Sequence, residues 1–462
     1  MKKLLALILA CAMLLGLSTA LAEDPQSPGL VEALVVTEVL DWGETVTALR
    51  LEYSEEIYCG AIENSNEHPG KLTYALVNDR DIVDIYVNNS GVKDDVQLYG
   101  KYVFLNLSIP TQADMEYRDA IVFNTTSKYR DQISAYYFYQ QEEIVTRAGN
   151  VIPRIGRTAT TGELCIGVDD FETFTYENPE DGTWLNYHLY IPEGHENESL
   201  PLVVHYPSGD YSYTDYTGLY RGALFTHPDC TVWASPEAQA QNPCYVVTVG
   251  GQADSTWSTV GFEDSAMQKN YVNIIHELTE TYPIDTSRIY CISLAGGSTP
   301  MWSTILSNPD LFAAQISTAY DYYHTFKDVA LAEEKAADIL SYMPSWSFAG
   351  LTDGSGAGCL GEEDTRLKGE RLRDIGYALN ERGCKIDVGY GEEGELMWNG
   401  LLRGEKAEEL AKAQIARAQE NGCEHMFTLY IPNTINQTMH WSWNATYSNA
   451  AVRNWLFEQV NE

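Results

Sequence analysis

Basic side chains are scarce in this 462-residue chain: 29 Lys and Arg face 66 Asp and Glu, a formal net charge of −37. So acidic a surface repels phosphate backbones and anionic membranes, and no nucleic-acid partner is expected. Beyond the first two dozen residues there is no apolar run long enough to span a bilayer, so no membrane span is expected either. The nine cysteines include no CxxC pair, which argues against a zinc cluster. The stretch DGSGAGCLGEED from Asp353 has the length of a calcium-binding loop, with Gly358 sixth and Asp364 twelfth. It lacks acidic residues at the third and fifth positions, so no metal or other cofactor is expected. Internal repeats and low-complexity segments are also lacking, which excludes a solenoid or a fibrous architecture.

What is present begins with an export pattern. Lys2 and Lys3 precede an apolar run that closes on Ala20-Leu21-Ala22, as in a cleavable signal peptide over residues 1–22. Cys11 follows the basic start too closely to be a lipid-anchored cysteine. The expected location is therefore extracellular, in a bacterial host. Export permits disulfides, and the short loop between Cys230 and Cys244 makes that the expected pair. Cys291, inside an apolar run, reads instead as a buried free thiol.

The length exceeds one compact core, so two domains are expected. Residues 30–150 carry short runs rich in β-branched and aromatic residues, such as ALVVTEVL, VTALRLEY, DIVDIYV and KYVFLNL. Asn, Gly and Asp punctuate them, the pattern of a β-sandwich. After EEIVTRAGNVIPRIG the rhythm changes to alternating strands and helices. NYHLYIP, LPLVVHY, YVVTVG, MPSWSFAGLTD and KIDVGY read as strands. DSAMQKNYVNIIHELTETY reads as a helix with Met267, Tyr271, Ile274, Ile275, Leu278 and Tyr282 on one face. RLKGERLRDIGYALNERG and AVRNWLFEQV are further helices, and residues 405–422 form a helical insertion expected over the edge or mouth of a parallel sheet.

Residues 287–302, SRIYCISLAGGSTPMW, read as a buried strand, a Gly-Gly turn and a helix. In α/β hydrolases this corner carries G-x-S-x-G with the nucleophilic serine at its apex. The longer run YPIDTSRIYCISLAGG…MW…NPDLFAA resembles secreted esterases of the α/β-hydrolase superfamily, related to the polyhydroxybutyrate-depolymerase and prolyl-oligopeptidase-like groups. Those proteins read YxIDxxRIYxxGLSMGGxxxW, and the match runs without a gap from Tyr282 to Trp302. DWGETVTALRLEYS resembles the immunoglobulin-like domain that precedes the hydrolase domain in a subset of them. MHWSWNATYSNAAVRNWLFEQ is similar to their histidine-bearing loop and last helix.

The resemblance implies an all-β immunoglobulin-like sandwich over residues 23–150. An α/β-hydrolase domain over 151–462 would follow, a mostly parallel sheet with helices on both faces. It also implies a catalytic acid at Asp353 and a base at His440, in the chain order of that superfamily. The nucleophile position holds Ala295, and Ser293 stands where the first glycine belongs. An alanine methyl group neither attacks a carbonyl nor gives a proton to a histidine. Ser293 lies two residues back, about 6.5 Å along a strand, and Ser298 falls in the first helical turn, so neither occupies the apex.

The oxyanion donors would be the N–H of Gly296 and one from the loop after PLVV. There, Pro207 and Ser208 replace the usual His-Gly; proline has no N–H, and Gly209 is the remaining backbone donor. Three readings result. One is a non-hydrolytic relative that keeps a pocket for a small-molecule or carbohydrate ester. Another is an active carboxylic-ester hydrolase using Asp353, His440 and an atypical nucleophile. The third is an envelope interaction scaffold.

Overall fold

The computed structural model describes residues 28–62, 73–76, 80–109, 123–124, 129–195, 198–251, 265–391, 393–435 and 438–461. The expected export segment over residues 1–22, with Cys11, lies outside them. The chain forms two compact units. One gathers residues up to Val35, Ala48–Ser108 and Ala135–Gly162; the other gathers Val36–Thr47, Ile109–Ser134 and Glu163–Glu462.

The first unit is a β-sandwich. Ile82–Asn88 pairs antiparallel with Tyr99–Leu107, which pairs in turn with the long strand through Leu49 and Leu51. A second, three-stranded sheet joins Tyr74–Leu76, Tyr137–Gln140 and Ile155–Ala159. Alternation puts Leu49, Leu51, Tyr53, Val103 and Leu105 in the interior. The two sheets are pinned by a buried polar contact: the Tyr53 hydroxyl lies 3.0 Å from the Tyr74 hydroxyl and donates to Gln140 Oε1 at 2.9 Å. Both groups need that partner, because an orphaned buried hydroxyl costs about 1–3 kcal/mol.

The second unit is built on nine strands: β1 (Glu172–Glu177), β2 (Trp184–Tyr190), β3 (Leu200–Tyr206), β4 (Tyr245–Gly250), β5 (Ile284–Leu294), β6 (Ala314–Thr318), β7 (Ser345–Gly350), β8 (Ile386–Gly389) and β9 (His425–Tyr430). Their order is β1-β2-β4-β3-β5-β6-β7-β9-β8. Only the β1–β2 and β2–β4 pairs are antiparallel; the rest run parallel. Apolar residues on both sides of each strand explain the layers. Leu202, Val204, Ile289 and Cys291 enter one core, while Val203, Tyr290, Ile292 and Leu294 enter the other.

The expected helix at Ala266–Thr281 buries Met267, Tyr271, Ile274, Ile275 and Leu278. Glu405–Glu420, the expected insertion, is a helix over the sheet edge, where Arg417 pairs with Asp387 at 2.7 Å and Gln414 bonds Thr428. Among the described residues no helix is long and apolar enough to cross a membrane.

The expected Cys230–Cys244 disulfide does not form, and all eight cysteines from Cys59 onward are free thiols. Their side chains turn to different partners. Gln239 Nε2 donates to Cys244 Sγ at 3.4 Å, while Cys230 lies against Thr248. Cys291 is the buried free thiol that its strand implied.

Candidate functional site

Parallel register brings the ends of β3, β5, β6 and β7 into line: Tyr206 stands opposite Ser293, Leu294 opposite Thr318, and Thr318 opposite Phe348. The loops that leave the carboxyl ends of such strands are where α/β proteins place their sites.

The elbow is intact in shape. Ala295 follows β5 with φ +44°, in the left-handed region that costs a non-glycine residue about 1–2 kcal/mol. Its surroundings enforce the bend. A Cβ on Gly297 would sit 2.1 Å from the Tyr206 carbonyl oxygen and 2.5 Å from that of Pro207. Ser293 is tied by its N–H to the Tyr447 hydroxyl at 3.1 Å, and its carbonyl accepts from Tyr447 and Thr318. Trp302, from the helix after the elbow, stacks on Tyr322 with centroids 4.0 Å apart.

The two neighbouring serines are engaged with each other. The Ser293 and Ser298 hydroxyls hydrogen-bond each other at 2.8 Å, and both residues are fully buried.

Asp353 and His440 meet. His440 Nδ1 lies 2.8 Å from Asp353 Oδ2, which places its proton on Nδ1 and leaves Nε2 as the free ring nitrogen. Asp353 is sealed at 1% exposure, whereas the His440 side chain keeps 26%, so one edge of the ring stays open to a ligand. Burial would raise the Asp353 carboxyl, yet the His440 hydrogen bond and the Lys368 ammonium hold it down at about 2. The engagement of Asp353 with His440 also accounts for the first residue of the loop with calcium-loop length.

Two further residues complete this cluster, and the sequence reading passed over both. Ser355 donates to Asp353 Oδ1 at 2.6 Å, and its Oγ lies 2.8 Å from His440 Nδ1. Lys368 is 2% exposed; its Nζ donates to Ser355 Oγ at 2.7 Å and to the Ala319 carbonyl at 2.8 Å, and lies 3.6 Å from Asp353 Oδ2. Burial pushes the ammonium pKa down, against the pull of Asp353 and Asp321.

Ala295, His440, Ser208 and Gly209 line one cavity of about 240 Å³, together with Trp42, Asp210, Tyr213, Thr226, His227, Leu294, Trp441 and Trp443. Gly296 adjoins it: a Cβ there would lie 3.3 Å from Ser208 Oγ. The two expected oxyanion positions are therefore adjacent across the cleft. Trp42 comes from the tip of the hairpin over Val36–Thr47, which belongs to the second unit. His227 packs edge-on against Trp441 and Trp443 at 5.0 and 5.1 Å, and burial pushes its pKa down to about 4, so it is neutral at pH 7. A larger cavity of about 340 Å³ shares Trp42 and Trp443 and runs along Asp229, Asn444 and Tyr447. Among the described residues no cluster of three His, Cys, Asp or Glu side chains could hold a metal ion.

A doubly layered sheet of this order, an elbow after its fifth strand and an acid–histidine pair after its seventh and ninth define an α/β-hydrolase fold. The pair is a carboxylate-oriented histidine that shares a cleft with the elbow, whose apex residue is Ala295. Residues 32–153 match the family described as the esterase Ig-like N-terminal domain. That matched region precedes a domain of α/β-hydrolase fold. Among solved structures, a thermostable esterase is 24% identical with a TM-score of 0.64, covering 93% of this chain and 99% of its own; that likeness shows the fold. Esterase Est22 with p-nitrophenol (14% identity, TM-score 0.35, 62% and 80% covered) is too distant to carry an argument. The same holds for an S-formylglutathione hydrolase from Agrobacterium tumefaciens (12%, TM-score 0.33, 62% and 94% covered). Among curated proteins nothing matches the chain.

Proposed function

We propose that this protein is an exported esterase relative that binds a neutral ester in the Ala295 cavity and does not hydrolyse it by a covalent route. One observation carries the reading: Ala295 holds the strained apex conformation, in the same cavity as a His440 that Asp353 orients. The position is shaped for a nucleophile, and a methyl group occupies it. Loss of a triad nucleophile lowers turnover by orders of magnitude and leaves the rest of the pocket able to bind. The lining supports an uncharged ligand with an apolar or ring-shaped group. Trp42, Tyr213, Trp441 and Trp443 supply flat apolar faces, and His227 is neutral. In this reading Asp353 and His440 orient the ligand, while Gly296, Ser208 and Gly209 stand where a carbonyl oxygen would lie.

The test is turnover of p-nitrophenyl acetate by wild type, Ala295→Ser and His440→Ala. Silence in wild type, with activity in Ala295→Ser that His440→Ala abolishes, is the expected result. Turnover by wild type that disappears in His440→Ala sinks the reading. It would favour the second one, a hydrolase in which His440 activates water directly; the preserved Asp353–His440 contact is what supports that alternative.

A further inference from the structure

Asp210 stands out among the cavity residues because nothing in the local chain explains its burial. It lies in the single helical turn Gly209–Ser212, directly after the Pro207-Ser208 loop, and is 6% exposed. Neither carboxyl oxygen has a hydrogen-bond partner of good geometry. Only the backbone N–H groups of Asp210 itself and of Ser208 lie near enough to favour the charged form. Burial, reinforced by the Asp229 carboxylate, outweighs them and pushes the pKa up to about 8. His205 Nε2 holds Asp229 Oδ2 at 2.5 Å. An orphaned buried carboxyl of this kind costs stability. A ligand that accepts a hydrogen bond would offset that cost.

We propose that Asp210 touches the ligand: its carboxylic-acid O–H donates a hydrogen bond to the carbonyl oxygen of the bound neutral ester, in place of the loop N–H that Pro207 lacks. The inference rests on the reading that this cavity holds an ester. A protonated carboxyl has one donor and retains acceptor capacity, so the Ser208 N–H can face its carbonyl oxygen while the O–H serves the ligand. A neutral acid acting as the donor to a carbonyl oxygen is an established chemical device in apolar sites.

The groups around Asp210 are few. Asp229 raises it; Tyr213 and Cys230, which it raises in turn, are neutral at pH 7. His227 and His440 line the same cavity. The helix Gly222–Phe225 packed on the turn carries no charge, and Arg221 before it is bound to Asp215.

The test measures binding of ethyl benzoate to the full chain by saturation-transfer NMR at pH 6 and pH 9, with Asp210→Asn and Asp210→Leu beside wild type. Wild type should bind at least ten-fold more weakly at pH 9, where the acid ionises. Asp210→Asn keeps a donor at every pH and should bind equally at both; Asp210→Leu should bind ten-fold more weakly than wild type at pH 6. Wild-type binding with no loss at pH 9, a loss at pH 9 that persists in Asp210→Asn, or Asp210→Leu binding as wild type does overturns the role of Asp210 alone. No binding by wild type at either pH overturns the ester reading of the cavity, and this inference with it. The C=O infrared band of a protonated carboxyl, present in wild type at pH 6 and missing in folded Asp210→Asn, checks the protonation state independently.

Discussion

Replacing Asp210 by asparagine should make the protein more stable, by an amount that depends on pH in a defined way. The carboxyl has a pKa near 3.8 when exposed and about 8 in the folded protein. Because the folded value is raised, the unfolded chain loses this proton first as pH rises. Between those two values folding must therefore retain a proton that the unfolded chain releases. The penalty is nil below pH 3.8, grows by about 1.4 kcal/mol per pH unit, and levels off above pH 8. The full interval sets an upper bound of about 6 kcal/mol, which water entry and side-chain rotation reduce; we expect about 2–4 kcal/mol at pH 8. Asparagine has nearly the same shape and no charge, so the variant should escape the penalty. Urea unfolding followed by tryptophan fluorescence suits the measurement, because every tryptophan among the described residues lies in the second unit. The difference between variant and wild type should be near zero at pH 4 and largest at pH 8. A difference that does not change with pH would show that Asp210 is ionised in the folded state, and the reasoning would fail.

Two other measurements test the same structure. Lys368→Met removes the cation behind Asp353 and should cost about 3–5 kcal/mol, the usual effect of orphaning one member of a buried pair. Asp353 has a lowered pKa, so the stability it contributes is present above pH 3.8 and is lost as pH falls through about 2. Without Lys368 that loss should begin at higher pH, and acid titration of the variant's fluorescence would show it; an unmoved acid limb would remove Lys368 from the cluster. Thiol titration with Ellman's reagent in denaturant, without reductant, should count eight cysteines on the chain lacking residues 1–22. In the folded protein Cys165, Cys230, Cys244 and Cys291 should stay unreactive; a count of six in denaturant would restore a disulfide.

Legibility differed by the kind of signal. The elbow was readable because a buried strand, two glycines and a helix are all local features, and Gly297 is compulsory where two carbonyl oxygens approach. Asp353 and His440 were readable through the resemblance, and the structure brings them together. Strands β6 and β9 escaped notice because FAAQIST and EHMFTLYIP are short apolar runs buried on both faces, with no alternation to mark them. Asp210, His227, Lys368, Ser355 and Trp42 escaped for another reason. Each matters through burial and distances between loops far apart in the chain, and no periodicity or spacing encodes those. The disulfide expectation failed in the same way: compartment and loop length favoured Cys230–Cys244, but side-chain direction decides, and Gln239 holds Cys244.

The elbow and the acid–histidine cluster differ in what their preservation means. The bend at Ala295 follows from Gly297 against the β3 carbonyls and from Tyr447 and Thr318 on Ser293. Those contacts belong to the core, so the bend would persist whatever residue stood at its apex, and only the side chain at that apex bears on turnover. The cluster is different. A sealed carboxylate, a buried lysine and a shared serine hydroxyl all require desolvation that apolar residues of similar size would avoid. Asp210 adds an orphaned acid at the other wall of the cavity. Folding alone gives no reason to keep these costly groups behind His440, the member of the cluster that lines the cavity. Their retention behind His440, with Asp210 at another wall, is the physical argument for the proposal that the cavity holds a ligand.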